Sequence, residues 1–178
     1  HSRLLAIETP TALGHTSTLT VLNASTAPHR INAALLRREV EARLDELPML
    51  RQSLVDVPLG LDRPWWRDHP GFDLDYHLRH IAVPDPDDPN SLAELVARIH
   101  SRPLDRNRPL WELYLISGLA DGRVALLFKM HLAALAESTG NSLCAGLIGD
   151  SAELLSDGPT DTLDPTRWTP HPGPSLHE

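Results

Sequence analysis

Apolar and polar residues alternate most clearly in GFDLDYHLRHIAV, where Phe72, Leu74, Tyr76 and Leu78 interleave with Asp73, Asp75, His77 and Arg79. A period of two sends successive side chains to opposite faces of a strand, so this segment is predicted as a half-buried strand. A β-branched, alternating run from about Thr16 to Leu22 predicts another strand. Shorter strands are expected around Leu50–Val57 and Leu61–Trp66. LWELYLISGLADGRVALLFKM reads as a β-hairpin whose turn contains Asp121-Gly122.

Helical spacing appears between these runs. Ile31, Leu35, Val40 and Leu44 are read as one apolar side of a helix, with Arg37, Arg38, Glu41 and Asp45 opposite and Pro48 as its stop. A second helix is expected to start at Ser91, where Ser91 and Glu94 have capping-box spacing and Leu92, Leu95, Val96 and Ile99 supply the core stripe. A third is expected from about Asn141 to Leu155, with Ala145 and Gly146 allowing close packing. Beyond Asp157 the prolines crowd together without a core pattern, as in a linker. There is no internal repeat. Strands interleaved with helices predict an α/β fold, a mixed-sheet sandwich.

Composition narrows the function classes. A chain of 178 residues suits one domain with its own core. The net charge of −8 and the lack of a basic stripe argue against a nucleic-acid partner and against adhesion to anionic lipid by charge alone. Cys144 is the lone cysteine, so neither an intrachain disulfide nor a zinc–thiolate site is expected. No run approaches the ~18–20 apolar residues of a membrane span, and the N-terminus has no signal-peptide pattern. The chain starts at His1-Ser2 without a methionine, as expected of a processed, trimmed or partial chain.

Few residues offer chemistry. His77 and His80 lie three apart, which on a strand separates them onto opposite faces, so they are read as surface or edge histidines and no metal is expected. The turn Asp85–Asp88 lacks the spacing of a calcium loop and is read as a solvated turn. In SRPLDRNRPLWE, Arg106 or Arg108 suits an anionic substrate group. The structural alternative has Asp105 pairing an arginine, Pro103 and Pro109 fixing the chain, and Trp111 plugging the core. Trp65-Trp66 is read first as a core anchor and second as a ligand wall. His131 ends an apolar run, where a lone histidine is more often a packed, hydrogen-bonded residue than a base.

Four segments, ETPTALGH, FDLDYHLRHIAVP, RPLDRNRPLWELYLISGLADGRVALLFKMH and the trailing STG, together resemble one family. It is the bacterial wax ester synthase / acyl-CoA:diacylglycerol acyltransferases, abundant in actinobacteria. The likeness runs from about Arg3 to Asp150, and its most specific part is Pro103 to His131, including Leu104, Asp105, Arg106, Arg108, Pro109, Leu110 and Trp111.

The resemblance implies one half of a two-domain fold of the chloramphenicol-acetyltransferase and condensation-domain type. Residues 1–156 would be its N-terminal domain, and 157–178 a proline-rich linker toward a C-terminal half absent from this chain. It implies acyl-CoA as co-substrate, no bound cofactor, and a diacylglycerol or fatty-alcohol acceptor. It also implies a partner, either the C-terminal half or a second copy, and a cytoplasmic protein in contact with the inner membrane or lipid bodies.

In that family the strand end is followed by His-His, three variable residues, Asp and Gly, and the second histidine is the base. Aligning Lys129 and Met130 with the strand end puts His131 on the first histidine. Leu132 then stands at the second, Ala136 at the aspartate and Glu137 at the glycine, while Gly140 matches a later family glycine. Leu132 has no exchangeable proton, so impaired or absent catalysis is expected. Two alternatives stand beside it: a non-catalytic lipid-binding or regulatory module, and an enzyme in which His131 or Glu137 has become the base.

Overall fold

The structure is a computed structural model, and the residues it describes are 8–9, 13–23, 31–55, 64–135 and 146–147. Its centre is the hairpin of β5 (Trp111–Ser117) and β6 (Val124–His131), antiparallel from Trp111 opposite Met130 to Ile116 opposite Ala125. The turn between them carries Asp121 at φ 59° and Gly122 at φ 67°. Left-handed backbone of this kind favours Asp and Gly, which is why the Asp-Gly pair marks the reversal. β1 (His15–Leu22) pairs antiparallel with β6, His15 opposite His131, and β4 (Leu78–Ala82) pairs parallel with β5. The sheet order is therefore β1-β6-β5-β4, a mixed sheet, and a small second sheet joins β2 (Gln52–Val55) to β3 (Trp65–Asp68).

β6 is buried along its whole length, so both faces of the sheet are covered. Val124, Leu126, Phe128 and Met130 point to one face, where they meet Leu36 and Val40 of helix α1 (Ala33–Arg43) and its C-cap residue Leu44. Ala125 and Leu127 point to the other, against Leu95 and Ile99 of helix α3 (Ser91–His100). This is the mixed α/β sandwich that the interleaved elements predict. Burying one such aliphatic side chain contributes about 1.5–3 kcal/mol, so the two faces hold the central hairpin in place. Trp111 is sealed within the first face, its indole N–H donating to the Leu50 carbonyl at 2.6 Å.

Several elements differ from the sequence expectation. The apolar row of α1 is Leu36, Val40 and Leu44, while Leu35 is half-buried. Leu35 and Val40 are five positions apart and so face different ways, whereas spacing of four keeps side chains on one face. α1 ends at Arg43, ahead of Pro48, which opens a 3-10 turn over Pro48–Arg51. The strand expected around Leu50–Val57 begins only at Gln52 and is described to Val55, with 56–57 outside the described residues. Its partner is Trp65–Asp68 rather than Leu61–Trp66, with 61–63 outside the described residues.

The alternating run from Phe72 does not begin as a strand. Asp73 accepts the Asp75 N–H at 3.0 Å and starts a single helical turn, α2 (Leu74–His77), before β4. Leu74 and His77 both turn inward, which the spacing of three permits in a helix and alternation does not. At α3 the Ser91–Glu94 capping box is not formed. Asn90 is the N-cap, without a side-chain bond, and Ser91 Oγ accepts the Asp85 N–H at 3.2 Å. A Cβ at Gly146 would meet Leu47 only at ordinary contact, 3.8 Å, so close packing does not require glycine there. Ala145, the rest of the expected third helix and the proline-rich stretch lie outside the described residues.

Candidate active site at the end of strand β6

β6 ends at His131, on the same face as Lys129, Leu127 and Ala125. His131 is 2% exposed, and both of its ring nitrogens are occupied. The Ala133 N–H donates to Nδ1 at 2.9 Å, so Nδ1 carries no proton. The ring proton is therefore on Nε2, which donates to Glu8 Oε1 at 2.9 Å. The backbone is pinned as well: His131 N–H donates to the Leu110 carbonyl at 3.0 Å and Leu132 N–H to the Gly14 carbonyl at 2.8 Å.

Glu8 is the hub of this corner. Its Oε1 also accepts the Gly14 N–H at 2.6 Å, and its Oε2 pairs with the Arg106 guanidinium. Burial raises the Glu8 pKa, but Arg106, the Gly14 N–H and His131 outweigh it and hold the carboxyl down at about 2. Gly14 lets the parts meet. A Cβ there would stand 2.8 Å from His131 Nε2 and 3.1 Å from Glu8 Oε1. Nothing in the local sequence pattern marks Glu8 or Gly14 as a site residue. The only signal was their place in ETPTALGH, one of the segments that carries the family resemblance.

Leu132 leaves this corner in the opposite sense. It opens a 3-10 turn, Leu132–Ala134, and its side chain is 40% exposed. Ala136, Glu137 and Gly140, the other motif positions, lie outside the described residues. The polar loop before β5 is built around the same corner. Arg106 pairs with Glu8, while Arg108 stands 3.7 Å from Asp105 and 4.0 Å over the Tyr76 ring. Leu110 is buried against Ala133, with Leu104 beside it, and the Pro109 carbonyl accepts the Trp111 N–H at 2.9 Å. Pro103 precedes Leu104 in this loop. Both arginines thus have partners within the protein.

His77 corrects the sequence reading. It is 1% exposed rather than at the surface, stacked between Phe72 and Trp111 at ring separations of 5.3 and 4.5 Å. Its Nδ1–H donates to the Trp111 carbonyl at 2.7 Å. Burial pushes its imidazole down to about 4, against the pull of that carbonyl. His80 is exposed and bonds Ser117 Oγ at 3.0 Å. Among the described residues no three His, Cys, Asp or Glu side chains converge as a metal site. In the acidic turn, Asp85 and Asp88 accept backbone N–H groups of Asp87 and Asn90. Trp65 and Trp66 are half-buried, Trp66 against the main core.

Lys129 is fully buried beside the corner. Its ammonium donates to the Ile99 carbonyl at 3.0 Å and to that of Arg102, at the C-terminal end of α3. Burial lowers its pKa, while Glu112, its cross-strand partner, pulls it back. A cation on the last carbonyls of a helix complements the helix dipole, so Lys129 ties α3 to the strand that ends in His131.

The chain matches a family model described as the wax ester synthase/diacylglycerol acyltransferase catalytic domain, over residues 2–176. A Mycobacterium tuberculosis (strain H37Rv) protein, named provisionally as a diacylglycerol O-acyltransferase, is 35% identical over 176 residues, covering 98% of this chain and 36% of that protein. Another from the same strain, named in the same guarded way, is 49% identical over 98 residues, 55% of this chain and 36% of that one. The chain thus spans about a third of the length of the curated relatives it matches. The solved wax ester synthase/diacylglycerol acyltransferase of Marinobacter aquaeolei VT8 superposes with a TM-score of 0.63 at 27% identity, over 80% of this chain and 35% of that one. The starter condensation domain of rhizomide synthetase shares the fold, with a TM-score of 0.57 at 17% identity over 83% of this chain and 33% of that one.

Proposed function

The chain belongs to the wax ester synthase/diacylglycerol acyltransferase family, and on that premise we propose that it is the N-terminal portion of an O-acyltransferase with impaired chemistry. The reaction of such an enzyme moves a long-chain acyl group from acyl-CoA to the hydroxyl of a diacylglycerol or fatty alcohol. The hydroxyl oxygen attacks the thioester carbonyl, its proton passes to a base, and the CoA thiolate leaves and is reprotonated. A positioned histidine base typically contributes ~10²–10⁴-fold to such a step.

One observation carries the reading of impairment. A base must offer a lone pair to the hydroxyl, and His131 has none to offer. Its Nδ1 lone pair receives the Ala133 N–H, its Nε2–H is given to Glu8, and the ring is 2% exposed. The open position is 132, where the family's base would stand, and it carries a leucine. His131 is therefore the supporting residue of a missing base. The acceptor channel requires a second body, supplied by a C-terminal portion or by a second copy.

Thioester turnover tests this reading. The chain, alone and with the C-terminal portion of an active relative, is given a long-chain acyl-CoA and mixed diacylglycerol and fatty-alcohol acceptors, and free CoA is followed. Acyl-CoA binding without acceptor-dependent release is the expected result. Release that disappears in His131→Ala would overturn it. Absence of acyl-CoA binding together with lipid binding would favour a non-catalytic lipid-binding or regulatory module instead.

A further inference from the structure

We infer that Glu8 is the positioning residue of this corner: its carboxylate selects the Nε2–H tautomer of His131, and that choice sets the direction in which residue 132 leaves the sheet. A carboxylate only accepts hydrogen bonds, so it can face only a protonated Nε2. With the proton fixed there, Nδ1 is a pure acceptor, and it receives the Ala133 N–H at 2.9 Å. That bond caps the 3-10 turn Leu132–Ala134. The opposite tautomer would set two N–H groups against each other at Nδ1 and leave Nε2 facing an anion without a donor.

The geometry makes the selection specific. Glu8 Oε1 lies 2.9 Å from His131 Nε2 and 2.6 Å from Gly14 N, while the Gly14 carbonyl takes the Leu132 N–H at 2.8 Å. The segment that brings Glu8 therefore grips residue 132 twice, once through the ring and once through the backbone. Arg106 occupies the remaining carboxylate oxygen, which couples the polar loop before β5 to the same ring. Lys129 and His15 are further titratable groups near this end of the sheet. Both are committed elsewhere, Lys129 to the end of α3 and His15 Nε2–H to the His100 carbonyl at 2.6 Å.

The tautomer claim stands apart from the acyl-transfer reading. Only its consequence for a base placed at position 132 rests on that reading. The test is long-range ¹H–¹⁵N correlation of the His131 ring, with amide exchange at Ala133, in the full chain. The wild type is expected to show the Nε2–H tautomer and a protected Ala133 amide. Glu8→Ala is expected to give mixed tautomers and to lose that protection.

If Glu8→Ala does not fold, Glu8→Gln keeps the volume and adds a donor. It is expected to weaken the tautomer preference. An Nδ1–H wild type, or a ring and an Ala133 amide that are the same with and without the carboxylate, would overturn the inference. A purely structural Glu8 would lower the melting temperature and leave the ring unchanged. In a chain made active by a histidine at position 132, Glu8→Gln is expected to lower kcat by on the order of 10- to 100-fold with little change in KM.

Discussion

His77 and His131 are both buried histidines, 1% and 2% exposed, and they are built differently. His77 lies between two aromatic rings and gives its one ring proton to a backbone carbonyl. Among the described residues no carboxylate is hydrogen-bonded to it, and burial keeps it neutral down to about pH 4. His131 stands at a strand end, with a carboxylate on one nitrogen and a backbone N–H on the other. The first is a flat core piece with one polar bond. The second joins an N-terminal segment, a polar loop and the turn after β6. Burial alone therefore does not distinguish a packing histidine from one that organises a site. The partner on the second nitrogen does.

The largest effect is expected where the His77 layer is removed. Trp111→Ala deletes the stacking partner and leaves the Leu50 carbonyl without its indole donor. It is expected to cost about 3–5 kcal/mol, read by urea unfolding. A loss comparable to that of an exposed residue would show that the stack contributes little.

Acid sharpens the comparison. In the unfolded chain His77 takes a proton near pH 6.5, and in the folded chain only near 4, so the unfolded state binds more protons between these values. Stability supplied by neutral His77 is complete above pH 6.5 and lost as pH falls toward 4, a loss on the order of 3 kcal/mol. For Glu8 the window is lower. Its stabilisation is complete above 4.5 and lost as pH falls toward about 2. Unfolding free energy measured against pH should therefore fall in two stages, and His77→Phe should shrink the upper one, to which His15 and His69, also lowered by burial, contribute, and leave the lower one in place.

At the other corner, Glu8→Ala leaves the Gly14 N–H and the His131 Nε2–H without acceptors. It is expected to cost about 1–3 kcal/mol, measured by thermal or urea unfolding. The smallest effect belongs to Arg106→Ala. Its side chain is 53% exposed, and an ion pair that open to solvent is worth about 0–1 kcal/mol. An Arg106→Ala loss equal to that of Glu8→Ala would mean that the corner depends on the ion pair rather than on the histidine.

What could be read from the sequence followed the range of the interactions. The β5–β6 hairpin, β1 and the Leu95/Ile99 stripe of α3 were legible because apolar periodicity and the Asp-Gly turn act within a few residues. Leu74–His77 misled, since four residues of alternation also fit one helical turn, and the Asp73 side chain decides between them by capping it. Leu35 does not share the row of Val40 and Leu44, because a spacing of five turns a side chain to a different face of the helix. Glu8 and Gly14 were out of reach. They meet His131 from more than a hundred positions away, and no local pattern tells a carboxylate which strand end it will close.

The proposed role of position 132 is tested most directly by installing the groups that the family resemblance implies there: Leu132→His with Ala136→Asp and Glu137→Gly, assayed for acceptor-dependent CoA release beside the C-terminal portion of an active relative. The expected result is activity in the restored chain and none in the wild type. Wild-type turnover that His131→Ala abolishes would contradict it, because it would make the histidine bound to Glu8 the working base.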